Sequence, residues 1–420
     1  MKLNSKRYNG VLPFIGGIHR IVIYQDVLSI RDRQLLQASK TWTPNTIAKK
    51  HIEPAVRLVA DTNDYILGNA VLKNPVTGKV VALYQHTRSH FEISVPCDVY
   101  MRTSIDGGLS YSDEVKLWDD NINKKSIYGL YLPTGRLVAL YTEYSRTETV
   151  GSTSRAGMEL GAYSRYSDDD GVTWSAKTAI TGVPAYFVRW LNYENPIVGS
   201  DGNIYGIAYG INGKLDTQSS YAIHIIKSTN NGVSFAFDKL IYQDTTYVNE
   251  SSIIEGSANI FWIVSRDESN LGQHRLFKWD KTANTVTAYG LFSLDGTTNF
   301  AHPPMIRLTT INGQKVVAYY FNNRVQRRLK VFYCKLSDLE TNNKVAFTGK
   351  TRWFIMSMLP ERELSGYMNV IHTSGLEGIG AYSNEKGPTS TNNASSMRCE
   401  LVYFNLPTNH QATIIAELGL

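Results

Sequence analysis

One eight-residue pattern recurs three times in this chain: Ser, any residue, Asp or Asn, any residue, Gly, any residue, Ser or Thr, aromatic. It reads Ser104-Ile-Asp106-Gly-Gly108-Leu-Ser110-Tyr111, then Ser167-Asp-Asp169-Asp-Gly171-Val-Thr173-Trp174, then Ser228-Thr-Asn230-Asn-Gly232-Val-Ser234-Phe235. The copies start 63 and 61 residues apart. A fixed period of this kind marks a repeat architecture, in which each unit buries its apolar face against the next. The motif itself is framework chemistry. Asp or Asn can accept from backbone N–H groups of a turn, and Gly supplies a backbone conformation closed to other residues. Strand-like runs precede each copy, at Cys97–Thr103, Glu159–Tyr166 and Tyr221–Lys227. The motif therefore reads as a hairpin turn within a β-unit.

A second signal counts the units. Turn residues separate two apolar runs in Leu72–Tyr84, Tyr131–Tyr141, Ile197–Ala208, Ile254–Val264, Leu308–Ala318 and Ile371–Ala381. Each reads as a β-hairpin whose apolar strands suit burial on both faces. Six hairpins over units of about 60 residues predict an all-β, six-bladed β-propeller. In the later units the eight-residue motif has decayed to fragments such as Lys278-Trp279-Asp280 and Leu336-Ser337-Asp338. Residues 1–56 lie outside the repeat and read as an N-terminal cap or docking segment, with a short helix expected within Asp26–Lys49. The propeller is expected over 57–420, with a polar loop at Gly387–Ser396 and a closing strand at Leu401–Leu406.

Composition narrows the function classes. Charged residues are 19% of the 420, beside 26 Tyr and 32 Gly, a balance suited to short strands and tight turns. No apolar run reaches the roughly 18 residues of a membrane span. The first 20 residues hold no apolar stretch of secretory-signal length. Cys97, Cys334 and Cys399 are far apart and form no metal-ligand or disulfide pattern, so buried thiols and no metal are expected. A net charge of +6 suits an anionic partner. No Lys/Arg run or nucleic-acid motif accompanies it, which argues against nucleic acid.

Propeller topology also says where chemistry can sit. The turns between strands 1 and 2 and between strands 3 and 4 share one end of a blade. The start of strand 1 and the end of strand 2 share the other. Glu250 precedes the Ile254–Val264 hairpin and Arg266 follows it, so the hairpin should return the two to one edge, roughly 5–10 Å apart. Arg324 follows the Leu308–Ala318 hairpin, and Tyr367 precedes Ile371–Ala381. All four should gather at one mouth of the channel, where a ligand pocket is expected. Taken singly, Glu250 and Arg266 read equally as a surface ion pair, Arg324 as one of the solvated bases with Arg327 and Arg328, and Tyr367 as one tyrosine among many.

These motifs resemble the sialidases. The repeated turns are similar to the Asp-box, or BNR repeat, of that family. Asn249-Glu250, Arg266, an Arg about one blade later and Gly366-Tyr367 before Gly378-Ile-Gly380 follow the family's order of site residues. The stretches Val59–Tyr65 and Gln85–Phe91 are similar to phage tail endosialidases, which degrade polysialic acid. The resemblance covers roughly residues 57–385. It implies a glycosidase acting on sialic acid or a related acidic glycan, with no cofactor, at a virion or cell exterior, and as a trimer if tail-borne. It also implies roles: Arg266 and Arg324 (with Arg327 as the fallback) binding the sugar carboxylate, Tyr367 as nucleophile and Glu250 as its base.

The chain departs from the family at two points. Leu67-Gly-Asn-Ala-Val-Leu stands where an Arg-Ile-Pro motif supplies an arginine, and the loop after it offers only Glu92 and Asp98 as acids. A glycan-binding propeller without catalysis, such as a phage receptor-binding protein, is therefore the alternative reading, with a purely structural propeller behind it.

Overall fold

The computed structural model describes residues 11–12, 21–22, 56–57, 65–87, 96–145, 159–184, 194–212, 220–269, 273–292, 303–323, 328–347, 353–357, 364–386, 396–404 and 408–420. The chain divides into two compact units, Met1–Lys49 and Lys50–Leu420. The described residues of the first form one antiparallel pair, β1 (Val11–Leu12) with β2 (Ile21–Val22). The helix expected within Asp26–Lys49 lies outside the described residues.

The described residues of the second unit are mostly strand. A short β3 (Val56–Arg57) precedes β4 (Tyr65–Lys73), β5 (Val80–Thr87), β6 (Cys97–Ser104) and β7 (Val115–Leu117). Next come β8 (Asn123–Tyr131), β9 (Leu137–Tyr144), β10 (Glu159–Ser167) and β11 (Thr178–Ala179). They are followed by β12 (Ile197–Val198), β13 (Ile204–Asn212), β14 (Ser220–Ser228) and β15 (Ala236–Asp244), and by β16 (Val248–Glu255), β17 (Ile260–Asp267), β18 (Gln273–Asp280) and β19 (Thr285–Phe292). Then come β20 (Met305–Ile311), β21 (Gln314–Asn323), β22 (Arg328–Lys335), helix α1 (Leu336–Asn342) and β23 (Trp353–Ser357). The chain closes with β24 (Leu364–Ser374), β25 (Glu377–Lys386), β26 (Ser396–Phe404) and helix α2 (Thr408–Leu418).

Strands β8–β11, β12–β15, β16–β19 and β20–β23 each form a four-stranded antiparallel meander. The other two runs share one eight-stranded sheet. In it β24–β26 joins β4–β7 through a parallel pairing of Met397 with Tyr65, and β3 adds to β26. The expectation of six separate blades is thus corrected to five hydrogen-bonded propeller sheets. The cause is the seam at which β26 pairs with β4 and β3.

Each of the six expected hairpins is present as an antiparallel pair. Packing between strand runs follows chain order. Leu72 and Leu83 pack with Ile127 and Leu137, Leu140 with Ile204 and Ala222, and Tyr205 and Ile223 with Ile253 and Phe277. Further along, Trp262 and Leu276 pack with Val317 and Phe332, and Met305 and Val331 with Val370. Ile379 of β25 then packs on Val80 and Tyr84 of β5, which brings the apolar ring back to its start. Such all-round contact explains why inner strands such as β5 and β9 are buried on both faces.

Two helices stand where no helix was expected. At Leu336-Ser-Asp338 the decayed motif gives way to α1, whose Leu336 and Leu339 enter the core beside Phe347. Helix α2 places Ile414 and Leu418, four residues apart and so on one helix face, against Val331 and Tyr333. The expected closing strand is present as β26, starting earlier at Ser396. Cys97 and Cys334 are buried and unbridged.

The three repeated turns share one hydrogen-bond pattern. In the first, Gly108 N donates to Ser104 Oγ (2.8 Å), and Leu109 N and Ser110 N donate to Asp106 Oδ1 (3.0 and 2.9 Å). In the second, Gly171 N donates to Ser167 Oγ (2.8 Å) and Thr173 N to Asp169 Oδ1 (2.8 Å). Gly232 N to Ser228 Oγ (3.0 Å) and Ser234 N to Asn230 Oδ1 (3.0 Å) complete the set. The Thr173 hydroxyl and N–H hold the Asp169 carboxyl down to about 2. Neighbouring turns are also bonded to one another. Asn74 Nδ2 and Tyr131 Oη both donate to Asp170 Oδ1 (2.6 and 2.8 Å), and Arg136 Nε donates to Asp168 Oδ1 (2.7 Å). Strand 1–2 turns and strand 3–4 turns therefore lie at one end, and the starts of β4, β8, β16, β20 and β24 lie at the other.

Candidate functional site

Glu250 sits near the start of β16 and Arg266 near the end of β17, at the end of the sheet away from the Gly256–Asn259 turn. The register between these strands is not regular. Val248 opposes Asp267 and Ser251 opposes Ser265, so Asn249 and Glu250 together face Arg266. One extra residue on one strand is a β-bulge, a device that re-aims side chains at functional sites. The Ser251 hydroxyl bonds the Asn249 carbonyl within the bulge and meets Ser265 Oγ at 2.7 Å across the pair.

Across this bulge Arg266 Nη1 donates to Glu250 Oε2 at 2.7 Å, with side chains only 13% and 4% exposed. The same nitrogen lies 3.0 Å from Glu268 Oε1, which also accepts from Asn249 Nδ2 at 3.0 Å. Two carboxylates thus bracket one guanidinium, and the three side chains sum to one negative charge. Asn249 Oδ1 is buried beside them with no hydrogen-bond partner.

The same irregularity recurs in other inner hairpins. Gly68 is the extra residue between Leu67↔Gln85 and Asn69↔Tyr84. Ser126 and Ile127 face Tyr141, between Lys125↔Thr142 and Tyr128↔Leu140. Gly366 and Tyr367 face Ser383, between Ser365↔Asn384 and Met368↔Tyr382. Tyr367 therefore holds in β24 the backbone position that Glu250 holds in β16. The β20–β21 pair has no such interruption. Arg324 and Arg327 lie outside the described residues, between the end of β21 at Asn323 and the start of β22 at Arg328. Of the two weaker acid candidates, Glu92 lies outside the described residues and Asp98 pairs with Lys116 at 3.2 Å.

A second, equally buried polar group lies where the inner strands approach one another. Arg307 of β20 pairs with Glu194, and its Nε donates to Val370 O of β24 (3.0 Å). Burial pushes the Glu194 carboxyl up, while Arg307 opposes that shift. Asn195 Nδ2 donates to Asn369 Oδ1 (3.1 Å), which also accepts from Val71 N (3.3 Å). Gly129 N donates to Asn195 Oδ1 (3.4 Å). Sequence reasoning missed this group. Its members come from different strand runs, although Glu194 stands just before the Ile197–Ala208 hairpin and Arg307 directly before Leu308–Ala318. Those positions, like that of Glu268 two residues beyond Arg266, were local signals that could have been used. Among the described residues no group of three or more His, Cys, Asp or Glu could hold a metal ion.

No family model matches the chain, and no curated protein matches it. Solved structures do. A protein of unknown function from Dyadobacter fermentans superposes with a TM-score of 0.65 at 12% identity, over 84% of this chain and 99% of that one. The chain has a sialidase-like β-propeller fold. The intramolecular trans-sialidase of Ruminococcus gnavus, solved with oseltamivir carboxylate, matches with a TM-score of 0.60 at 12% identity, over 85% and 96% of the two chains. The Trypanosoma rangeli sialidase, solved with sialic acid, matches with a TM-score of 0.59 at 14% identity, over 87% of this chain. This chain spans 61% of the Trypanosoma protein and 65% of a Hadza microbial sialidase, Hz136.

Proposed function

We propose that this protein is a glycoside hydrolase acting on sialic acid or a related acidic glycan. The observation that carries the reading is the bulge pair. Glu250 is ion-paired to Arg266 across one bulge, and Tyr367 occupies the matching backbone position in another. In this reading Glu250 takes the phenolic proton of Tyr367, and the phenolate oxygen bonds to the anomeric carbon as the glycosidic C–O bond breaks. The departing oxygen takes a proton from an acid. Water, losing a proton to the conjugate base of that acid, then attacks the anomeric carbon and breaks the glycosyl–tyrosine bond, while Glu250 returns its proton to Tyr367. A neutral Tyr avoids setting a second anion against an anionic sugar. Arg266, with Arg324 or Arg327, would hold the sugar carboxylate.

The repeated Ser-x-Asp-x-Gly turns are read as Asp-boxes. The eight-stranded sheet is read as two blades merged at the chain's seam, making six repeat units. Residues 1–56 are read as a docking segment, and a phage tail or bacterial exterior as the place of action. The test is incubation with sialyl-lactose and with polysialic acid, using Glu250→Ala and Arg266→Ala as controls. Turnover that survives both substitutions would sink the reading.

A second reading, glycan binding without turnover, has its own support. Arg266 is already bracketed by two carboxylates, and Leu67–Leu72 carries no arginine. Saturable binding of sialyl-lactose without release of sialic acid would select it.

A further inference from the structure

Arg307 joins the strand that carries Glu250 to the strand that carries Tyr367. Its Nη1 donates to Ser252 Oγ at 3.2 Å, two residues beyond Glu250 on β16. Its Nε donates to Val370 O at 3.0 Å, three residues beyond Tyr367 on β24. The remaining nitrogen pairs with Glu194, just before β12, which balances the charge of a guanidinium only 12% exposed. We infer that Arg307 is a positioning residue that sets the spacing of Glu250 and Tyr367. The inference rests on reading those two residues as base and nucleophile.

Geometry favours this role over simple bracing. A guanidinium is a planar fork with donors in fixed directions, so it can hold two acceptors at a set separation. Lysine's three donors rotate about one nitrogen on a flexible stem and fix no such separation. The strands also have other ties. Ile306 N donates to Ser252 Oγ (3.0 Å), and Val370 N lies 3.3 Å from Met305 Sδ. Arg307→Lys therefore keeps a partner for Glu194 and leaves β16, β20 and β24 joined, while releasing the fork. A shift of about 1 Å in a reacting pair costs on the order of 100-fold in rate.

The test uses the full chain with 3-fluorotyrosine at position 367, its phenol titrated by 19F NMR. In the parent, Glu250→Gln should lower the phenol's midpoint by about 1 pH unit or more, since a nearby carboxylate opposes ionisation. In the Arg307→Lys background that response should fall by at least about half, and kcat on sialyl-lactose should drop about 10-fold or more with KM little changed. Arg136→Lys, which alters an ion pair among the turns at the other end, should leave both unchanged. An undiminished Glu250 response in Arg307→Lys overturns the positioning role and leaves the proposed function standing. A phenol that ignores Glu250→Gln in the parent overturns the base–nucleophile pairing itself.

Discussion

Arg266 reaches Glu250 from directly across a β-bulge, and the same nitrogen meets Glu268. The two substitutions at this contact should therefore behave differently. Glu250→Gln leaves the guanidinium paired with Glu268 and keeps an oxygen acceptor for it, so stability should change by only about 1 kcal/mol. On the proposed function, sialoside hydrolysis should fall about 100- to 10,000-fold as the proposed base is lost. Parallel urea melts and initial-rate assays check both halves.

Arg266→Met removes the cation from between two largely buried carboxylates. The expected loss is about 3–5 kcal/mol, well above that of Glu250→Gln. Urea unfolding at neutral pH measures it. Equal losses for the two variants would mean that Glu268 does not share the guanidinium.

The repeated turns should govern stability and leave chemistry alone. Gly171 has φ +87°, and a Cβ there would meet Met101 Sδ at 2.5 Å. Gly171→Ala should cost about 2–4 kcal/mol from backbone strain and overpacking together. Asp169→Ala removes the acceptor for Thr173 N and the Thr173 hydroxyl and should cost about 1–3 kcal/mol. Both variants should retain parental kcat at temperatures where they stay folded, because these turns lie at the end away from Glu250.

Acid should destabilise the fold partly through His224. Burial against β13 and β15, with Phe237 beside the ring, holds its pKa down to about 4. In the unfolded chain the ring titrates near 6.5, so between these values the unfolded state binds the extra proton. Its contribution is present above about pH 6.5 and is lost as pH falls towards 4, about 3 kcal/mol in all. His224→Gln should flatten the stability profile across that window, as denaturant melts at pH 7, 5.5 and 4 would show.

Much of the second unit was legible because its turns carry their own chemistry. Asn74–Gly78, Pro133–Gly135 and Asp201–Gly202 announce hairpins, and apolar runs such as Val80–Tyr84 announce buried inner strands. The approach of Glu250 to Arg266 followed from their positions on either side of one hairpin. The bulge did not follow, because register is a relation between strands and leaves no mark in either strand alone. Arg307 and Glu194 were hidden for a similar reason. They meet across strand runs, and each reads locally as an ordinary charged residue. Helix α2 was missed because Ile414 and Leu418 are a thin apolar stripe whose partners, Val331 and Tyr333, are far off in the chain.

The pairing of Tyr65 with Met397, and of Val56 and Arg57 with Leu401 and Glu400, sets a kinetic limit on this fold. While the chain is being synthesised, β4 emerges long before its partner β26. Until then the edge of β4 stays unpaired, and each new strand run packs onto an open arc. Contacts so distant in sequence are slow to form, and a waiting strand edge is open to association with other chains. A nascent chain halted before Ser396 would hold the Glu250–Arg266 hairpin in full yet lack the strand that closes the ring.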